Sequence, residues 1–185
     1  MTNRQRRYAL PERFTGEAAK QWADKNMYFY QGRVPLVDSS RLFEWVKVDF
    51  DRYFDVSSAI EKREVMCWVL MRTDSVDRLR TNGGERVNTF RPDHIRHPDL
   101  PPIRQLQNVQ YPFLSSWITR TMEELSGQPC FDETAYAGYI DITLPADTLN
   151  RPTVAGLRKA LSIYGLDLVS VKKQLDVLVL YDNNQ

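Results

Sequence analysis

The sequence predicts an α/β or α+β fold, with a single mixed β-sheet and helices packed on at least one face. Three observations favour this class. Val65–Met71 is an uninterrupted apolar run, which is typical of a central strand that is covered on both faces. Helical and strand-like patterns alternate along the rest of the chain. The C-terminal third has the order strand, helix, strand, strand, which predicts a β-α-β-β unit with a crossover helix.

The composition is that of one globular domain. The chain has 185 residues, 42% of them apolar, and a net charge of +1. We expect a mobile N-terminal arm over residues 1–12 and a single α/β domain over residues 13–185. The near-neutral charge weighs against a basic nucleic-acid coat, and the apolar runs are too short for a bilayer, so no membrane partner is expected. Two cysteines without a CxxC spacing, and no secretory signal, favour a cytoplasmic protein.

The first part of the chain predicts two helices around a pair of strands. Thr15 is a suitable N-cap for the first helix, which has a narrow face of alanine and tryptophan. Met27–Tyr30 and Val34–Val37 are the predicted strands, joined tightly around Gly32. The second helix is predicted over about Ser39–Phe54, because aromatic and aliphatic residues recur there at helical spacing.

The middle of the chain predicts a central strand and then an irregular segment. The strand is predicted over Glu64–Arg72 and ends at Thr73–Ser75. A short helix is expected over Val76–Arg80. Residues 81–112 then change in character, because their prolines interrupt regular structure and Asn82-Gly83-Gly84 is a turn signal. We expect residues 81–112 to form a long Pro- and Arg-rich insertion, and loops of this length are often functional.

Regular patterns return after the insertion. Phe113–Ser126 predicts a helix that ends at Gly127. Gly138–Leu144 alternates apolar and polar residues, as in a strand with one packed face. Asn150 is a candidate N-cap for the crossover helix, which ends at Gly165.

Two final strands are predicted at Leu166–Val171 and Leu175–Tyr181, joined as a hairpin through Lys172-Lys173-Gln174. The element order of residues 138–181 resembles half of a ferredoxin-like or ACT-type domain. ACT domains usually have a glycine in the turn after the first strand, and Asn150-Arg151-Pro152-Thr153 lacks it. The resemblance therefore implies an element order and no ligand site.

The insertion is the predicted recognition loop. Arginine and aromatic residues contribute most to interface energy, and guanidinium groups also suit phosphate. Because its prolines and polar content keep it outside the predicted core, shortening it to a Gly/Ser connector is expected to preserve stability and to abolish partner binding. The predicted partner-binding residues are Arg86, Arg91, Arg96, Arg104 and Tyr111, with Phe90 as a second exposed aromatic side chain.

Strand-end aspartates form an alternative, catalytic constellation. Carboxylates that gather at one edge of a sheet can bind Mg²⁺. Such a metal would polarise a phosphate, as in a metal-dependent nuclease or phosphodiesterase. Helix N-capping is the competing explanation for two of them. The four residues are Asp38, Asp74, Asp141 and Asp182.

A weaker metal alternative lies inside the insertion. His94, His97 and Asp99 carry ligand-type side chains at close spacing. A structural zinc site needs four ligands, and no cysteine pair supplies the others. Surface histidines in a polar loop are the favoured interpretation, and no cofactor is predicted.

No nucleophile elbow, P-loop or dinucleotide motif occurs in the sequence. We therefore expect a non-enzymatic interaction protein of the accessory or inhibitor type, which presents the 81–112 insertion to a protein partner. A nucleic-acid-binding protein is the second hypothesis, since a local arginine patch is compatible with a neutral total charge. The metal-dependent nuclease is the third.

Overall fold

The structure is a computed structural model that describes residues 16–33, 35, 41–90 and 103–183, except the side chain of Asp182. These residues contain five helices and two three-stranded sheets. The predicted α+β class is therefore confirmed, although two small sheets stand where a single one was expected.

The chain divides into two compact units. One consists of Met1–Ala59 with Leu180–Gln185, and the other of Ile60–Val179. In the first unit the helices are α1, Gly16–Asn26, and α2, Leu42–Phe54. Both were predicted, and neither contains a buried residue. Their stability therefore depends on half-buried contacts and on helix propensity.

Met27–Tyr30 does not form the predicted strand. The segment continues from α1 without strand geometry, and the N–H of Met27 still donates to the carbonyl of Ala23. Its aromatic rings contact rings of α2 instead of forming one face of a sheet. The partner strand expected at Val34–Val37 lies outside the described residues apart from Pro35.

Sheet A has the strand order β4-β1-β6. Its central strand is β1, Val56–Arg72, which begins well before the predicted start at Glu64. Strand β4, Cys130–Asp132, runs parallel to it. Cys67 and Leu70, which point to opposite faces of β1, are both 0% exposed. The predicted cover on both faces is therefore confirmed in the middle of the apolar run, whereas Met66 and Met71 are 39% and 38% exposed.

Strand β6, Leu166–Asp182, lies on the other side of β1. Lys62 forms an ion pair with Asp176, and Glu64 forms one with Lys172. Partners thus descend along β6 as they ascend along β1, so the two strands are antiparallel. We call this pair of strands the ribbon. Each strand has 17 residues.

The hairpin predicted at Lys172-Lys173-Gln174 is wrong, because β6 continues straight through it. Successive side chains of a strand point to opposite faces. Lys172 and Lys173 therefore meet carboxylates on different faces of the ribbon, Glu64 and Glu133 respectively. The two lysines are thus accommodated within a continuous strand because each forms an ion pair, and no turn is needed.

Sheet B is antiparallel, with the order β2-β3-β5. A bulge interrupts β3 between Leu106 and Val109, and Asn108 takes a left-handed conformation there, with φ of 50°. Both Leu106 and Val109 remain buried, because the extra residue keeps the core face in register. The strands are β2, Val87–Asn88, β3, Ile103–Gln110, and β5, Tyr139–Pro145.

Residues 81–112 are therefore not one irregular insertion. They include β2 and β3, and β3 is the middle strand of sheet B. Shortening the segment would remove the buried Leu106 and Val109 from the core, so the structure favours a loss of stability instead of the unchanged stability that the sequence predicted. Residues 91–102, which contain most of the prolines, lie outside the described part.

The short helix predicted over Val76–Arg80 does not form. Asp74 accepts a hydrogen bond of 2.9 Å from the first N–H of that segment. Asp77 accepts two, each of 3.1 Å, from its last two N–H groups. These carboxylates satisfy the backbone locally, which competes with a helical ladder.

Three helices belong to the second unit: α3, Tyr111–Ser126, α4, Ala146–Asn150, and α5, Val154–Ser162. The predicted end of α3 at Gly127, with φ of 65°, is confirmed. The N-cap of α5 is Thr153 rather than Asn150, and α4 was not predicted. No helix in the described ranges is long and apolar enough to cross a membrane.

The main core lies in the second unit. The core face of β5 is the predicted one, with Ile140, Ile142 and Leu144 buried. They pack with apolar residues of α3, α5, β3 and the base of β1 and β6. Strands β5 and β6 lie in different sheets, so the expected parallel crossover, and with it the β-α-β-β order, is not formed.

Candidate functional site

Large aromatic side chains are exposed together in the first unit. Phe29 is 91% exposed, Tyr53 70% and Tyr28 60%. Single exposed apolar residues are common, but contiguous groups mark binding surfaces. We call this group the aromatic surface. Its members are Tyr28, Phe29, Tyr30, Phe50, Tyr53 and Phe54.

Three of the six members of the aromatic surface lie on one face of α2 because of their spacing. Phe50, Tyr53 and Phe54 stand at i, i+3 and i+4 of α2, so they share one face of the helix. Phe54 is central. The centroid of its ring lies 4.9 Å from the ring centroid of Tyr53, 5.4 Å from that of Phe50 and 5.1 Å from that of Tyr28.

The segment after α1 supplies the other half. The ring of Tyr28 also lies 5.5 Å from that of Tyr53, and the ring of Tyr30 lies 5.9 Å from that of Phe50. The pairs are edge-to-face or tilted, which is the arrangement that aromatic quadrupoles favour. The rings therefore hold one another in place while leaving large apolar faces open to solvent.

Two charged residues complete the lining. The six rings, with Asp49 and Arg52, surround a cavity of about 650 Å³. The hydroxyl of Tyr30 donates a 2.8 Å hydrogen bond to Asp49 Oδ2. That bond stabilises the neutral phenol, and it raises the pKa of Tyr30 above its ordinary value. The cavity thus combines an apolar floor with one anchored carboxylate and one guanidinium.

A second carboxylate of α2 is used inside the unit. Asp51 accepts a hydrogen bond from the hydroxyl of Ser58 and forms a 3.0 Å ion pair with Lys47. The hydrogen bond from Ser58 and the charge of Lys47 lower the pKa of Asp51. Asp51 therefore secures the helix to the start of β1 and does not line the cavity.

The predicted partner-binding residues are dispersed. Arg86 is exposed just before β2. Arg104 and Tyr111 are only 2% and 1% exposed, so neither presents its side chain to a partner. Arg91 and Arg96 lie outside the described residues.

The two aromatic side chains predicted to be exposed are core residues. Phe90 is 6% exposed, and its ring packs 5.5 Å from the ring of Trp117. The hydroxyl of Tyr111 receives a 2.8 Å hydrogen bond from Thr134 and donates to Asp132. Burial raises the pKa of Tyr111. The prediction that these rings are exposed is wrong, because both rings pack among the residues of the main core.

Asp141 has a structural role. Its Oδ1 accepts hydrogen bonds from the hydroxyl of Thr81, at 2.7 Å, and from the N–H of Asn108, at 2.9 Å. Its Oδ2 accepts from the N–H of Asn82, at 2.9 Å. Desolvation alone would raise the pKa of Asp141, but the three hydrogen bonds together lower it. The carboxylate thus joins the turn after residue 80 to the bulge of β3.

Asp74 is likewise engaged. It forms a 2.7 Å ion pair with Arg78 in addition to its bond with the backbone, and that ion pair is the main cause of its lowered pKa. Among the residues that the structure describes, no three His, Cys, Asp or Glu side chains gather as metal ligands would. The other predicted metal-site residues lie outside that part of the chain: Asp38, the side chain of Asp182, His94, His97 and Asp99.

Sequence reasoning did not identify the aromatic surface. Met27–Tyr30 is equally suited to a strand, and the aromatic spacing of α2 equally suits a buried face. The available signal was the crowding of four large apolar residues next to a helix that is itself aromatic on one side.

Comparison with known proteins gives no assignment. No family model matches the chain, and no curated protein or solved structure matches it either.

Proposed function

We propose that this chain is a non-enzymatic interaction protein, of the accessory or inhibitor type, that binds a protein partner through the aromatic surface. The observation that supports this is the exposure of Tyr28, Phe29 and Tyr53 around a cavity that also contains a carboxylate and a guanidinium. Aromatic residues and arginine are enriched at the centres of protein interfaces, where they contribute most of the binding energy.

The contacts of the aromatic surface also favour a binding role. Rings that are already packed against one another lose little side-chain entropy when a partner covers them. Phe54 is central to that packing. The exposed faces of Tyr28 and Tyr53 are thereby held ready for contact.

Charge favours a protein over a nucleic acid as the partner. Helix α2 carries three carboxylates and two cations, so it lacks the basic excess that phosphate contacts require. The arginines of residues 81–112 supported the nucleic-acid hypothesis, but Arg104 is buried. Exposed aromatic rings can also stack on bases. The experiment below therefore distinguishes a protein partner from a nucleic acid.

Site-specific photo-crosslinking in the native host tests the proposal. A photoreactive phenylalanine at position 29 is compared with one at position 113, where Phe113 is an exposed ring on α3. We expect a discrete protein adduct at position 29 that is missing at position 113. Adducts to DNA or RNA would support the nucleic-acid alternative, and equal adducts at both positions would overturn the proposal.

The purified adduct partner then allows a quantitative measurement. Phe29→Ser and Tyr53→Ser should each weaken its affinity about tenfold or more, as loss of an interface anchor does. Phe113→Ser should leave the affinity unchanged. Calorimetric titration measures all three variants.

A further inference from the structure

The free edge of β6 is a second surface, independent of the aromatic one. Within the described residues β6 is the outer strand of sheet A, and β1 is its neighbour in the sheet. Strand β4 covers β1 only at Trp68–Leu70, so most of the ribbon is two strands wide. An isolated two-stranded ribbon is marginally stable in water, and an unpaired strand edge is a template for another strand.

Among the described residues of the second unit, no further strand pairs with this edge. Between Leu168 and Val179 no residue of β6 is buried, and its side chains are either half-buried or exposed. The segment contains neither proline nor glycine, which are residues that commonly interrupt strand edges. Its two lysines pair with carboxylates of the same chain.

The backbone groups that face the free edge can be identified. The N–H of Thr73 donates to the carbonyl of Gly165. Eleven residues further along each strand, Lys62 and Asp176 form an ion pair of 3.3 Å, which fits the same register. Hydrogen-bonded positions alternate along an antiparallel pair. Odd-numbered residues of β6 therefore bond to β1, and even-numbered residues direct their N–H and C=O groups outward.

A second copy of the same strand matches this edge. A two-fold axis perpendicular to the sheet keeps each residue on the same face in both copies, so even-numbered residues pair with even-numbered residues. With the axis at Gln174, Lys172 of each copy lies opposite Asp176 of the other. Moving the axis by one residue places Lys172 opposite Leu178 or Gln174 and loses both charge pairs.

The charges within each chain extend this match. Lys172 lies 2.7 Å from Glu64, and Asp176 lies 3.3 Å from Lys62. Joining two copies therefore makes a row of alternating sign across four strands: Glu64, Lys172, Asp176 of the second copy and Lys62 of the second copy. The side chains of Lys172 and Asp176 are 63% and 62% exposed, so both can accept a further partner. Opposite charges on facing strands stabilise the pairing and set its register.

We propose that the chain forms a symmetric dimer in which β6 pairs antiparallel with β6 of a second copy, centred on Gln174. The two ribbons then form one four-stranded sheet. The outward N–H and C=O groups of the even-numbered residues obtain partners, and Leu178, which is 43% exposed, faces Ser170 of the second copy.

Analytical ultracentrifugation of the full chain tests the dimer with two charge variants. Lys172→Glu alone places two pairs of negative charges across the axis, and Asp176→Lys alone places two pairs of positive charges there. Each variant should raise the dimer dissociation constant about tenfold or more. An equimolar mixture of the two should dimerise again, because every facing pair is then of opposite sign.

Matched controls separate the interface from the ion pairs within the chain. Glu64→Gln and Lys62→Gln remove the same two ion pairs but lie on β1, so both should dimerise like the wild type. Gln174→Pro removes an outward N–H at the axis, and proline is tolerated where a strand N–H faces solvent. It should be monomeric with an unchanged circular dichroism spectrum.

Three results would overturn the proposal. One is a wild-type chain that stays monomeric at about 100 μM, well above the dissociation constants of stable dimers. Another is dimerisation of the separate charge variants with wild-type affinity. The third is a mixture of the two that remains monomeric although each variant is folded.

Discussion

Leu70 is the best single test of the central strand. It is 0% exposed and packs in the main core. Leu70→Ala should lower the free energy of unfolding by about 2–5 kcal/mol, because it leaves a cavity that neighbours cannot fill. Met71→Ala, at a position that is 38% exposed, should cost less than about 1 kcal/mol. Chemical denaturation measures both, and equal losses would contradict the burial of Leu70.

Asp141 offers a test in which pH is the variable. Asp141→Asn weakens three hydrogen bonds that join the turn at Thr81 to the bulge at Asn108. We expect a loss of about 1–3 kcal/mol in the free energy of unfolding at pH 7, since these bonds involve a charged acceptor. The exposed acid Glu85, changed to Gln, is the control in the same turn.

The loss at Asp141 should depend on pH in a definite direction. Its pKa is lowered in the folded state from an ordinary value of 3.8, so the folded state binds the proton less tightly than the unfolded state. The stabilisation that the ionised carboxylate provides is complete above the unfolded-state pKa of 3.8. It is lost as the pH falls through the lower pKa of the folded state. The difference between wild type and Asp141→Asn should be constant from about pH 7 to pH 5 and should shrink below about pH 4. A constant difference down to pH 3 would contradict this role.

At the scale of elements, the end of α3 can be tested through one residue. Gly127 has φ of 65°, and a Cβ there would meet nothing within 4 Å, so the backbone conformation alone resists substitution. Gly127→Ala should lower the free energy of unfolding by about 1–2 kcal/mol. Gly127→Asn should cost less, because asparagine tolerates left-handed geometry. Thermal unfolding ranks the two, and equal losses would contradict the role assigned to the left-handed φ.

Elements with a clear hydrophobic periodicity and a clear terminating residue could be predicted from the sequence. Helix α3 has both, and the alternation of β5 gave its core face correctly. Strand β3 was missed because its core face includes Arg104, its register shifts at Asn108, and prolines precede it. The ribbon was missed because Lys172 and Lys173 resemble a turn until the facing carboxylates are known. Long-range partners of this kind leave no local signal.

At the scale of the molecule, the two units should differ in protection from hydrogen exchange. Helices α1 and α2 have no buried residues, whereas α3 has six. We expect amides of 16–26 and 42–54 to exchange about a hundredfold or more faster than those of 111–126. Mass spectrometry of peptides from the folded chain measures this. Comparable protection would mean that contacts of α1 and α2 stabilise them far more than their exposure suggests.

The candidate site shows the same limit of prediction. The sequence indicated that aromatic and arginine side chains would mediate binding, but it placed them at Tyr111 and Arg104, which are buried. The exposed rings are those of Met27–Tyr30 and α2. Whether an aromatic face is covered depends on the packing of the whole unit, and composition carries no information about that.

The position of β1 in sheet A has a consequence for synthesis of the chain on the ribosome. Its parallel partner begins at Cys130 and its antiparallel partner at Leu166. At about 5–20 residues per second, the apolar run of β1 waits on the order of 3–12 s for the first of them. Throughout that interval the nascent chain presents an unpaired apolar strand, so release before Cys130 should yield a chaperone-bound or aggregated product. We therefore expect chaperones to bind β1 until the second half of the chain has been synthesised.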